Sequence, residues 1–177
     1  MILIQGETAG AEPLLLTTIR SEDSPVLFTW INNLELVRFN APFAPVSQAQ
    51  HDAWFVKLDT DPAKRMLVIR ETTDGPPIGT IQLIDIHPIH RSAELIIRIG
   101  SDNHRGQGLG TAALDLACRY GFQSLRLNRI WLRVFATNGR AIRAYEKASF
   151  EREGVMRKAC WIDDHWVDIV VMARLAP

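Results

Sequence analysis

The sequence predicts an α+β fold, a mixed but mostly antiparallel sheet of about seven strands flanked by helices. Three observations predict it. Between Val26 and Leu58 the apolar residues recur at helical spacing, and from Arg65 they fall into short aliphatic runs. Three of these runs follow one another across turn-forming residues, as in an antiparallel meander. One strongly amphipathic helix, a single strand, a short helix and a final hairpin then complete the chain, with no repeat, low-complexity tract or linker dividing it. A chain of 177 residues buries roughly 70% of its unfolded surface, and residues 1–177 read as one domain.

Each element has a local reason. The residues through Pro13 read as a loose lead-in, and Leu14–Ile19 as a strand. Ser21 or Ser24 is the expected cap of a helix carrying Val26, Leu27, Trp30 and Ile31. Residues 34–39 form a further turn of helix that Pro42 and Pro45 break. Ser47 and Gln50 have capping-box spacing before a helix with Ala53, Trp54, Val56 and Leu58, ending at residues 59–62. Met66–Ile69, Ile78–Ile86 and Ala93–Ile99 are the meander strands. Leu109, Ala112, Ala113, Leu116, Ala117 and Tyr120 mark one face of the clearest helix. Arg129–Phe135 is a buried strand, Asn138 caps a helix through Ala148, and Phe150–Ile162 pairs with Trp166–Leu175 around Asp163, Asp164 and His165.

Composition excludes several classes. Apolar residues make up 47% and charged residues 23%, the values of an ordinary globular domain. Twenty Lys+Arg balance 20 Asp+Glu, so nucleic acid and membrane surfaces are not the expected partners. No apolar run reaches the ~20 residues of a membrane span, and the first residues lack a signal peptide's basic and apolar regions. Cys118 and Cys160 lie far apart and form no CxxC, which suits a reducing cytoplasm and gives no zinc site. The five histidines fall at no metal-ligand spacing, so no metal is expected.

The most informative residues are Arg105, Gly106, Gln107, Gly108, Leu109, Gly110 and Thr111, between a strand and the amphipathic helix. A helix start carries unpaired N–H groups and partial positive charge, and glycines let its backbone approach an anion. No Lys-Ser/Thr pair follows, so this is not a Walker loop. The glycines run G-x-G-x-G, so it is not the dinucleotide fingerprint either. A bare glycine turn before a helix would look the same. One helix and one strand later comes Asn138-Gly139-Arg140-Ala141-Ile142-Arg143-Ala144-Tyr145-Glu146-Lys147-Ala148-Ser149-Phe150.

The two motifs in tandem resemble the GNAT superfamily of acyl-CoA-dependent N-acetyltransferases, over nearly the whole chain from Leu14 to Leu175. The resemblance implies a GNAT-like three-layer fold and acetyl-CoA as cosubstrate. It places the coenzyme pyrophosphate on the backbone of Arg105, Gly106, Gln107, Gly108, Leu109, Gly110 and Thr111, with further coenzyme contacts at Asn138, Arg140 and Tyr145. It also implies that backbone groups of the strand through Ile97, Arg98 and Ile99 pair with the pantetheine arm where the sheet splays. Direct attack in a ternary complex is implied, with Tyr145 as general acid to the departing thiolate. Where many members carry glycine after Tyr-Glu-Lys-x, this chain has Ser149, a helix-stop position that favours glycine.

The base is open on sequence. Glu94 interrupts an apolar strand and is either the general base or a solvent-facing residue. His87 and His90 bracket a turn and titrate in the right range, as solvated turn histidines also do. Cys118 reads as a packed core thiol. The expected acceptor is a primary amine. Segments after Phe150 resemble acetyltransferases of ribosomal-protein N-terminal alanine, whereas His90-Arg91-Ser92-Ala93-Glu94 resembles the spermidine N-acetyltransferases. The first is the main expectation and a polyamine or other small amine the alternative. Glu22, Asp23, Glu35, Asp52 and Asp85 are candidate carboxylates for a cationic acceptor, and Trp30, Phe39, Phe43 and Trp54 candidate groove aromatics. A non-catalytic acyl-CoA-binding module is the reading outside the enzyme class. A homodimer is expected through the apolar last strand, Val167–Leu175. Neutrality conceals an asymmetry: residues 103–147 carry eight Lys+Arg against Asp115 and Glu146, a net +6, and the remainder is −6.

Overall fold

Aliphatic runs become strands because alternate side chains can be buried on one face of a pleated sheet. The computed structural model describes residues 3–8, 13–37, 44–58, 60–100 and 108–177. Its strands are β1 (Leu3–Glu7), β2 (Pro13–Thr18), β3 (Arg65–Arg70), β4 (Gly79–His87), β5 (Ser92–Ile99), β6 (Arg129–Phe135), β7 (Glu151–Ile162) and β8 (His165–Leu175). Its helices are α1 (Ser24–Ile31), α2 (Leu34–Val37), α3 (Gln48–Lys57), α4 (Leu109–Gln123) and α5 (Gly139–Lys147), with a 3-10 turn at Ser21–Asp23. The sheet order is β1-β2-β3-β4-β5-β6-β8-β7. Every neighbouring pair is antiparallel except β5 and β6, which run parallel.

Two layers of helix cover the sheet. Ala93 and Leu95 of β5, with Ile97 and Ile99, pack in the main core with Leu109, Ala113, Leu116, Ala117 and Tyr120 of α4 and Ile142 of α5. The opposite face carries Glu94, Ile96 and Arg98 and lies under α1 and α3. Trp54 and Leu58 stand over Met66, Gln82, Ile84 and Ile96 there. At Gly100 a Cβ would come within 2.0 Å of the Trp30 ring, so α1 packs directly on that backbone. The buried Arg70 ties α1's entry to the sheet: it donates to Asp23 at 2.5 and 2.7 Å and to Thr17 Oγ1 at 3.1 Å.

Several expectations change. The residues before Pro13 are not a loose lead-in, because Leu3–Glu7 pairs with β2 and raises the strand count from seven to eight. Gly6 sits there because a Cβ would meet Leu116 Cδ2 at 2.6 Å. Neither Ser21 nor Ser24 caps α1; Asp23 holds the N-cap position and its carboxylate is committed to Arg70. Ser47 caps α3 through a reciprocal box, Gln50 N–H to Ser47 Oγ at 3.3 Å and Ser47 N–H to Gln50 Oε1 at 2.9 Å. The last strand is not at the sheet's edge. It lies between β6 and β7, so the edge on that side of the sheet is β7.

Candidate active site

The site is built where the one parallel pair of strands fails to stay paired. The ladder between β5 and β6 joins Ser92 to Arg129, Ala93 to Ile130 and Glu94 to Trp131, and goes no further. Beyond Glu94, β5 continues to Ile99, and beyond Trp131, β6 continues to Phe135. Ile97, Arg98 and Ile99 remain paired to β4 on one side, opposite Ile81, Thr80 and Gly79. Among the described residues their other edge bonds to no strand, which leaves a row of backbone groups for an extended ligand arm. Gly79 lets β4 hug this segment, since a Cβ there would lie 2.5 Å from the Arg98 carbonyl.

α4 begins beyond the end of β5. Gly108 takes the N-cap position with φ 79°, a left-handed conformation that glycine adopts without penalty, and supplies no side chain to cap the helix. Ala112 N–H is bonded back to the Gly108 carbonyl at 3.1 Å, and the N–H groups of Leu109, Gly110 and Thr111 precede that first turn. Among the described residues a Cβ at Gly108 or Gly110 would meet nothing within 4 Å. Open backbone donors at a positive helix end suit a pyrophosphate. Arg105, Gly106, Gln107 and His104 lie outside the described residues, as do Phe39 and Phe43.

α5 supplies the second motif. Asn138 Oδ1 accepts the Ala141 N–H at 3.1 Å, so this side chain caps α5. Arg140 is exposed on its first turn. Tyr145 is half-buried against the main core, its ring edge-on to Phe150 at 6.1 Å. Burial pushes its phenol up to about 12, which keeps the proton on the oxygen at any physiological pH. Helix α5 ends in a left-handed Ser149 at φ 62°. The Ser149 and Phe150 N–H groups bond to the Glu146 and Tyr145 carbonyls, each at 3.0 Å. That is the Schellman pattern, and the Tyr145–Phe150 contact is its apolar staple.

Glu94 is not a solvent-facing residue. It is 4% exposed, and both its oxygens are held by Arg133, Nε to Oε1 at 2.8 Å and Nη2 to Oε2 at 3.0 Å. Arg133 projects from the unpaired half of β6, so the ion pair spans the two strands just past their last ladder pair. Its guanidinium lies 5.7 Å from the Trp131 ring centre, and Asp85 stands at a bulge in β4 with φ 50°. His87 and His90 stack with ring centres 4.1 Å apart on the exposed turn before β5. That turn adjoins the paired end of β5, away from the opening. Cys118 is fully buried, and burial raises its thiol to about 12.

Of the candidate acceptor groups, Asp23 is consumed by Arg70, and Glu22, Glu35 and Asp52 are exposed. Trp30 is core and Trp54 is partly exposed above a cavity of about 230 Å³. Sequence reasoning missed the Arg133 partner of Glu94 and the environment of the Arg98 side chain. Two arginines in apolar strands were the available signal. Among the described residues no three His, Cys, Asp or Glu cluster as metal ligands, and no helix is long and apolar enough to cross a membrane.

Comparison with known proteins bears on this architecture. Spermidine N(1)-acetyltransferase of Escherichia coli K12 is 30% identical over 92% of this chain and 86% of its own. The crystal structure of spermidine N-acetyltransferase from Vibrio cholerae, in complex with CoA and spermine, superimposes with a TM-score of 0.84 at 29% identity, covering 92% of this chain and 95% of that one. Ribosomal-protein-serine acetyltransferase of E. coli K12 is 26% identical over 64% of this chain and 61% of its own. The family model for the acetyltransferase (GNAT) domain matches residues 13–151. That span takes in both helix-bearing motifs and the opened seam between β5 and β6, and the chain belongs to the GNAT family of N-acetyltransferases.

Proposed function

We propose that this enzyme moves the acetyl group of acetyl-CoA onto a primary amine of a small molecule, by direct attack within a ternary complex. The observation that carries this reading is the seam that opens past Glu94 and Trp131, bounded by a donor-rich helix start at one end and a carboxylate on its floor. The cosubstrate supplies an activated thioester carbonyl. Leu109, Gly110 and Thr111 hold its phosphates with backbone N–H groups, with Arg105, Gly106, Gln107 and Gly108 completing the loop. The free edge of Ile97, Arg98 and Ile99 orients its arm, and Asn138 and Arg140 flank it from α5. Glu94 accepts the ammonium proton, directly or through water, while Arg133 fixes the carboxylate's direction. As the amine nitrogen bonds to the carbonyl carbon and the C–S bond breaks, Tyr145 gives its proton to the leaving sulfur.

Among acceptors, a polyamine of the spermidine type has more support from the relatives than a peptide N-terminal amine. The spermidine enzymes align over most of the chain and the ribosomal-protein enzyme over a shorter part. Self-association into a homodimer belongs to the proposal, moved from β8 to the exposed edge β7, where Val155, Met156 and Trp161 are half exposed beside Trp166. A thiol-release assay with acetyl-CoA against spermidine, alanine-initiated peptides and small amines tests the reaction. Turnover with an amine class supports it, and silence with every amine leaves the binding-module reading in its place.

A further inference from the structure

Among the described residues, Arg98 is the side chain with a buried nitrogen that meets no hydrogen-bond partner. By strand alternation it shares with Glu94 and Ile96 the face of β5 under α1 and α3. Ile96, two residues earlier, lines the 230 Å³ cavity with Trp54, Met66, Gln82 and Ile84. Gly100, two residues later, is covered by Trp30. The guanidinium is partly buried, and its Nε is fully buried with no hydrogen-bond partner. Burial alone lowers its proton affinity, with no carboxylate among the described residues acting against that shift. Two other arginines of this face behave differently. Arg70 is answered by Asp23, Thr17 and the Gly75 carbonyl, and Arg133 by Glu94. A desolvated cation without an anion is costly, and native folds rarely keep one unless a ligand completes it.

We propose that Arg98 binds a carboxylate of the acceptor, so that the acceptor class is a primary amine bearing a carboxylate, of the amino-acid type. This rests on the N-acetyltransferase reading above but departs from the spermidine-type acceptor that the relatives favour. The geometry selects the acceptor over the cosubstrate, because the phosphate-binding helix α4 packs on the other face of β5. Nε is closed to solvent, so a carboxylate meets the planar Nη1–Nη2 end of the guanidinium, two acceptors to two donors. The amine of such an acceptor then lies toward Glu94, four residues back along the same face, with the apolar part of the molecule over Ile96 and under Trp54. A polyamine would bring a second cation to this guanidinium, and the two would repel.

The test is thiol release with paired acceptors, α-, β- and ω-amino acids each set beside the amine of the same skeleton without its carboxylate, and with spermidine. The expected result is a kcat/KM about 100-fold or more higher for the carboxylated member of the best pair, the scale on which a site built for a polar group rejects its absence. In Arg98→Gln that preference collapses through the acceptor KM, while the KM for acetyl-CoA stays within about twofold and Arg98→Lys restores part of it. Because an unanswered buried charge is removed, Arg98→Met keeps or raises the melting temperature, which shows that the variants fold. Better turnover of spermidine than of every carboxylated amine overturns the proposal and leaves the acetyltransferase reading intact. A rise in the acetyl-CoA KM alone in Arg98→Gln also overturns it, assigning the residue to a phosphate. Silence with all amines sinks the acetyltransferase reading itself, and this proposal with it.

Discussion

Ser149 occupies a backbone conformation that its side chain penalises, and replacing it gives a quantitative test of how α5 is held. At φ 62° the Cβ crowds the following carbonyl, at a cost of about 1–2 kcal/mol for a left-handed residue other than glycine. Glycine removes that cost, but its freer unfolded chain returns about 0.5–1 kcal/mol. Ser149→Gly is therefore expected to stabilise the fold by about 0.5–1 kcal/mol, which for a domain of this size raises Tm by roughly 1–4 °C. Ser149→Val moves the other way, because a β-branched residue is a worse occupant of this region. The two backbone bonds of the cap do not involve the side chain, so both variants keep the same hydrogen bonds. Differential scanning calorimetry of the three proteins in one buffer reads the effect. An unchanged or lowered Tm in Ser149→Gly would mean that the strain argument is wrong and that Ser149 contributes contacts of its own.

Other consequences follow from the site. Arg133→Met strips the buried Glu94 of its partner and is expected to cost about 1–3 kcal/mol, less than a fully buried pair because Arg133 is 48% exposed. Urea denaturation at pH 7 reads the loss, and an unchanged midpoint would contradict it. The Tyr145 phenol, raised to about 12, stays protonated well beyond an ordinary tyrosine. The rate should therefore show no decline centred near pH 10, and a spectrophotometric titration should find one tyrosine ionising late. The same shift means that stability present below pH 10 is lost as pH rises from about 10 to about 12. Cys118, buried with its thiol near 12, should resist a disulfide reagent at pH 8 in the native protein, leaving one fast-reacting thiol at the partly exposed Cys160. Two fast thiols would place Cys118 within solvent reach.

The order of elements from β2 to β8 was legible because each rests on local pattern. The capping box at Ser47, the apolar stripe of α4 and the hairpin around Asp163 and Asp164 depend on residues within a few positions of one another. β1 was not legible, since five residues containing Gly6 carry too short an alternation, and the reason for that glycine is Leu116, far along the chain. The opening between β5 and β6 was expected from the family resemblance alone. Paired and unpaired halves of these strands share one alternation, so periodicity holds no trace of where the ladder stops. Glu94 was undecided for a similar reason: a charge in an apolar strand can face solvent or a partner, and the partner, Arg133, sits 39 residues away. Tyr145 was singled out by the family resemblance of the Asn138–Phe150 motif, whereas the cap at Ser149 and Phe150 that holds it needed the backbone.

The central claim is that Tyr145 protonates the leaving sulfur during acetyl transfer to an amine. Single-turnover thiol release from acetyl-CoA, compared between the native enzyme and Tyr145→Phe across pH 6–10, tests it most directly. The account predicts a fall of about 10²–10⁴-fold in the chemical step, the usual worth of a positioned acid, with acetyl-CoA affinity unchanged. Full turnover by Tyr145→Phe at every pH would contradict it and remove Tyr145 from the mechanism.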